Sequence, residues 1–126
     1  MLFDTDVLIW ALRGNKRAAR AIDLAEEGCL SVVNYMELLQ GARDKREMHL
    51  VRSFLKDLGF RVLPLSENIG HRASIYIEEY TLKAGLRLAD ALLAATAVEH
   101  QLVLFSANTK RYRGISELKL NTLQPK

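Results

Sequence analysis

Apolar residues recur along this chain in two rhythms, short solid blocks and longer stretches of helical period. Residues 1–3 form a brief apolar block that ends at Asp4. Residues 7–12 then predict a short helix, with Thr5 or Asp6 as its cap, broken by Gly14 and Asn15. Residues 16–27 place Ala18, Ala21, Ile22 and Ala25 on one face. Gly28 ends that helix, and residues 29–33 predict a second strand. Asn34 predicts the next cap, with Glu37 at capping-box distance, and the helix ends near Gly41. Residues 45–58 carry Leu50, Val51, Phe54, Leu55 and Leu58 in period, and Gly59 closes them.

Residues 60–65 predict a third strand, and Ser66 caps a helix running to about Ala84, before Gly85. Residues 88–99 predict another helix with Leu88, Ala91, Leu92, Ala95 and Val98 facing inward. Residues 102–105 predict a fourth strand and residues 118–120 a short fifth at an edge. Strands alternating with helices imply βαβ units and a mostly parallel sheet of four to five strands covered on both faces. Such sheets bind ligands beyond the carboxyl ends of their strands. The residues that follow each strand are therefore where chemistry is expected.

Composition narrows the class. The chain has 126 residues, 49% hydrophobic and 26% charged, the profile of one folded domain spanning residues 1–126. Its single cysteine, Cys29, lies in an apolar block without metal-ligand spacing, so a buried inert thiol is expected. No apolar stretch approaches the roughly 20 residues that span a bilayer. The N-terminus carries Asp4 and Asp6 instead of a basic leader, and a cytoplasmic location is expected. A net charge of +3 is compatible with a nucleic-acid partner without requiring one.

Three acids sit at the expected places within apolar surroundings. Asp4 follows the first strand, Glu37 lies one turn into the helix after the second, and Asp90 lies in the first turn of the helix before the fourth. Converging carboxylates without a counter-charge repel, and a hard divalent cation such as Mg²⁺ or Mn²⁺ relieves that. Each acid also has a plain local use. Asp4 can cap a helix, Glu37 can complete a capping box, and Asp90 can favour a helix N-terminus. His49, His71 and His100 are scattered, and Trp10, Tyr35 and Tyr76 fit core or dimer packing.

Four segments carry a family resemblance. They are 3–10 (Phe-Asp-Thr-Asp-Val-Leu-Ile-Trp), 31–41 around Asn34 and Glu37, 88–97 around Asp90, and 102–112 from Leu102 to Tyr112. In this order they resemble the PIN-domain family, most closely VapC-type toxins of toxin–antitoxin pairs. The resemblance implies a three-layer α/β/α domain and an endoribonuclease dependent on Mg²⁺ or Mn²⁺. It implies Asp4, Glu37 and Asp90 as catalytic metal ligands. Asp6 reads as a supporting acid or as the cap of the helix at Val7, Thr5 and Ser106 as hydroxyls for metal-bound water or for local backbone bonding, and Asn108 as a group that accepts a hydrogen bond or orients such a water. The resemblance further implies a homodimer, inhibition by a small VapB-like antitoxin, and structured RNA targets including transfer RNA.

One departure stands out. The family often has a fourth acid after the last core strand, whereas residues 106–112 here contain none, so one ion is expected. Asn108 stands where the family has Asn or Asp, and Arg111 where an acid often precedes the aromatic residue. Lys110, Arg111 and Arg113 form a basic group suited to RNA phosphates. The missing acid also motivates a non-catalytic RNA- or protein-binding module as an alternative. The Asp4-x-Asp6 pair suggests a phosphatase with an aspartate nucleophile, but Val7-Leu8 follows where that chemistry has Gly-Thr.

Overall fold

A computed structural model describes residues 1–126. Five short strands form one parallel sheet: β1 (Leu2–Phe3), β2 (Cys29–Ser31), β3 (Arg61–Leu63), β4 (Leu104–Ser106) and β5 (Leu120–Thr122). Their order is β3-β2-β1-β4-β5. Six helices connect them: α1 (Thr5–Leu12), α2 (Lys16–Leu24), α3 (Val32–Gln40), α4 (Lys45–Asp57), α5 (Glu67–Ala84) and α6 (Leu88–Glu99). A 3₁₀ turn spans Lys110–Tyr112.

Strand alternation divides the core. Leu2, Cys29 and Leu104 point to one face, where they pack with Ile69, Ala73, Leu93 and Tyr112. Phe3 and Leu30 point to the other, with Val7, Leu8, Ala18 and Leu38. The three-layer α/β/α arrangement expected from the sequence is therefore present. Its chain order steps from β1 to β2 on one side and reaches β4 on the other. The carboxyl end of β1 is thus the switch point, where a crevice must open.

The local ends differ from the expected ones, for physical reasons. Asp4, not Thr5 or Asp6, caps α1, its side chain accepting from Thr5 N at 2.8 Å. Ser31 caps α3, its Oγ accepting from Val33 N, which places Asn34 inside the helix rather than at its cap. Asn15, Asp44 and Ser66 cap α2, α4 and α5. Helix α2 ends at Leu24, ahead of the expected 27. Strands β4 and β5 lie about two residues later than the apolar blocks suggested, because backbone pairing with β1 and β4 sets their register.

Helix α6 buries more than one stripe. Leu93, Ala94 and Ala97 are buried along with Ala91 and Ala95, while Leu88 is 69% exposed. Its small residues let it lie close to α5 and the sheet at once. Of the apolar positions expected to face the core from α4, only Leu55 is fully buried, and Leu50 and Leu58 reach solvent. Gly85 ends α5 at φ +72°, a left-handed conformation that a side chain resists. Arg72 on α5 donates to Glu99 at 2.6 Å and to Glu117 at 2.8 Å, and Tyr76 also donates to Glu117. These bonds tie the segment between the 3₁₀ turn and β5 onto the α5–α6 layer.

Candidate metal centre

The crevice at the switch point is a cavity of about 310 Å³. Asp4, Glu37 and Asp90 all line it, and so does Asp6. Asp4 arrives from the end of β1, Glu37 from the second turn of α3, and Asp90 from the first turn of α6. Arg87 and Arg111 also line it, so four acids face two guanidinium groups.

Asp4 is the hub. Its Oδ1 accepts from Thr5 N at 2.8 Å and from Asn34 Nδ2 at 3.4 Å. Its Oδ2 accepts from Ser106 Oγ at 2.9 Å and from the Tyr112 hydroxyl at 2.8 Å. Burial, and then the charge of Asp6, push its carboxyl up from 3.8 to about 6, while the Tyr112, Ser106 and Thr5 hydrogen bonds pull the other way. Burial and then the charges of Asp4 and Asp90 push the Tyr112 hydroxyl up, so it stays a proton donor.

Asp90 is buried, its Oδ2 accepting from Arg87 N at 3.0 Å, so it does serve as the N-terminal acid of α6. It also does more. Its Oδ1 accepts from the Tyr112 hydroxyl at 3.2 Å, and Arg111 Nη1 stands 3.4 Å from Oδ2. Glu37 is exposed, held by Thr5 Oγ1 at 3.2 Å. Asn34, only 2% exposed, donates to both Asp4 and Thr5, and so links Asp4 to the residue that holds Glu37. Its Oδ1 has no donor.

The supporting residues divide. Thr5 and Ser106 touch the acids directly. Asp6 is not a cap: its carboxylate accepts from Ala107 N at 3.2 Å and from Ser106 Oγ at 3.3 Å, which clips α1 to the end of β4. Asn108 is exposed, does not line the cavity, and touches the network only through its backbone N–H to Ser106 Oγ at 3.1 Å. Arg111 is half-buried against Asp90, while Lys110 and Arg113 are exposed. Sequence reasoning missed Tyr112 as a polar contributor and took Asn34 for a cap. The available signal was the hydroxyl of Tyr112 at the end of the segment that follows the fourth strand.

The donor set suits a hard cation. It is all oxygen and anionic, and Asp4 is desolvated with no cation against it. No three such side chains stand close enough to enclose an ion as they are. Glu37, exposed on a flexible stem, is the acid with room to move inward.

Comparison with known proteins agrees with this fold. The PIN domain profile matches residues 1–117. The chain belongs to the PIN domain family. It is 32% identical to a VapC ribonuclease of Pyrococcus furiosus over 75% of its own length, and the match spans 64% of that relative. A toxin–antitoxin complex from Klebsiella pneumoniae contains a similar chain, with a TM-score of 0.80 and 30% identity over 99% of this chain and 97% of that one. The VapBC2 structure from Rickettsia felis, bound to promoter DNA, shares the fold at a TM-score of 0.82 and 18% identity, covering 98% of each chain. Asp6, which accepts from the Ala107 backbone N–H at 3.2 Å, is not set up as the acid of an aspartate-nucleophile phosphatase.

The raised Asp4 carboxyl predicts a pH dependence. Between pH 3.8 and about 6 the folded chain keeps a proton that the unfolded chain has lost. Folding stability from this group is therefore highest near pH 4, falls as pH rises to about 6, and is level above. Urea unfolding of metal-free protein at pH 4.5 and 7.5 is expected to show a drop that Asp4→Asn removes, on the order of 2 kcal/mol. Parallel pH profiles for parent and variant would show that Asp4 is not desolvated.

Proposed function

We propose that this chain is an endoribonuclease dependent on Mg²⁺ or Mn²⁺ and the toxin of a toxin–antitoxin pair, acting in the cytoplasm. The observation that carries the reading is the arrival of Asp4, Glu37 and Asp90 at one cavity on the sheet's switch point. These three would hold one ion. When bound, such an ion supplies Lewis acidity toward a phosphate oxygen and lowers the pKa of water.

The chain's own residues do the rest. Ser106 and Tyr112 hold Asp4 Oδ2, and Thr5 holds Glu37. Arg87 and Arg111 at the cavity offer positive charge to an RNA phosphate, with Lys110 and Arg113 exposed beyond them. Hydrolysis adds water across the phosphodiester bond and leaves a 3′-hydroxyl and a 5′-phosphate.

A second groove supports the antitoxin. A cavity of about 620 Å³ is lined by Ile9, Leu12, Leu38, Leu50 and Val51, and it meets the acid cavity at Thr5, Ile9 and Glu37. It suits an amphipathic segment of a VapB-like partner whose end reaches the acids. Leu82, 98% exposed, and Leu88 offer apolar surface to a second copy of the chain.

The test is incubation of purified protein with structured RNAs, transfer RNA included, in Mn²⁺, Mg²⁺ or EDTA. Cleavage that needs the metal and yields 5′-phosphate ends is expected. The Arg111–Asp90 pair favours one rival, a module that binds RNA or protein without cutting. RNA binding without cleavage in any metal would establish that rival.

A further inference from the structure

Tyr112 belongs to the same cavity, yet the sequence marked it only as the aromatic residue after Arg111. Its ring is wholly buried, in the core layer formed with α5 and α6. Its hydroxyl emerges from that core between two acids, 2.8 Å from Asp4 Oδ2 and 3.2 Å from Asp90 Oδ1. These acids lie 86 positions apart in the chain, on β1's end and α6's first turn, and no other side chain in the network touches both.

We propose that Tyr112 is a positioning residue that ties Asp4 to Asp90 and so pre-assembles two ligands of the metal site. The inference rests on the metal-dependent reading above. A neutral donor suits this task. One hydroxyl proton shared between two carboxylates offsets their repulsion, yet adds no positive charge that would repel an incoming cation. Arg111 also holds Asp90, but as a charge that must yield to the ion. The 3₁₀ turn carries Tyr112, and the Arg72–Glu117 contact ties down the segment that follows it, so the hydroxyl stands on a fixed mount.

Tyr112→Phe keeps the ring in the core and removes only the bridge. Calorimetric titration of the full chain with MnCl₂ at pH 7.5 is expected to show binding about tenfold weaker than in the parent, as losses of groups that orient metal ligands commonly do. Cleavage at saturating Mn²⁺ should recover most of the parent rate, since the ligands remain. In metal-free protein, the ¹³C carboxyl signals of Asp4 and Asp90 should both move on Tyr112→Phe, a signature that loss of packing alone would not give. Mn²⁺ affinity within twofold of the parent, or a shift confined to one carboxyl, overturns the bridge while leaving the metal reading intact. A parent chain that binds no Mn²⁺ overturns both.

Discussion

Asp90→Asn is expected to lower RNA cleavage by about a thousandfold, a loss of about 4 kcal/mol of transition-state stabilisation. The substitution keeps an oxygen that can accept from Arg87 N, so α6 should still start at Leu88. It removes the negative charge at the back of the cavity. Two effects then combine. One of the three acids of the proposed metal site is lost, and Arg111 loses its partner and stays as an uncompensated cation in the cavity. Initial rates on a fluorogenic RNA, with circular dichroism as the folding control, measure the result. A variant within tenfold of the parent would remove Asp90 from the catalytic site.

Phe3→Ala is expected to cost about 4 kcal/mol of folding free energy, enough to leave a domain of this size marginal. Phe3 is fully buried on the central strand. Its ring meets Phe60 edge-on at 5.5 Å between centroids and Phe105 at 5.8 Å. Truncation opens a cavity under three neighbouring strands, and the short strands leave little slack to collapse into it. Because Asp4 follows directly, the variant should also lose Mn²⁺ affinity before it unfolds. Chemical denaturation gives the stability, and a loss below 1.5 kcal/mol would mean that the layer repacks around the gap.

Much of this architecture was legible in the chain. Helical period, caps and glycine stops placed all six helices, and the apolar blocks placed all five strands to within a few residues. Alternation of strand and helix was enough for a parallel three-layer fold. The acids were legible for a different reason: Asp4 and Asp90 are charges in apolar segments, and such charges need a partner. Glu37 was named on the same ground, though the helix leaves it exposed, and its setting among apolar residues reflects the groove beside it instead.

What misled was local chemistry shared by two uses. Asn34 has the right spacing for a capping box with Glu37, yet Ser31 takes the cap and Asn34 turns inward to Asp4 and Thr5. Arg111 reads in sequence as one of three like basic residues, whereas the fold sets it apart: it pairs with Asp90 inside the cavity while Lys110 and Arg113 remain outside.

The sequence by itself determined the elements and the layer arrangement, because period, capping and burial are properties of neighbours along the chain, and its family resemblance singled out the three acids for testing. Only the tertiary structure decided what stands between those acids. Tyr112 meets Asp4 and Asp90, Asn34 reaches Asp4, and Arg111 pairs with Asp90, through contacts as much as 108 residues apart. Such contacts depend on strand order and register, which bring β1, β4, α3 and α6 together at the carboxyl end of the sheet. No local pattern encodes them.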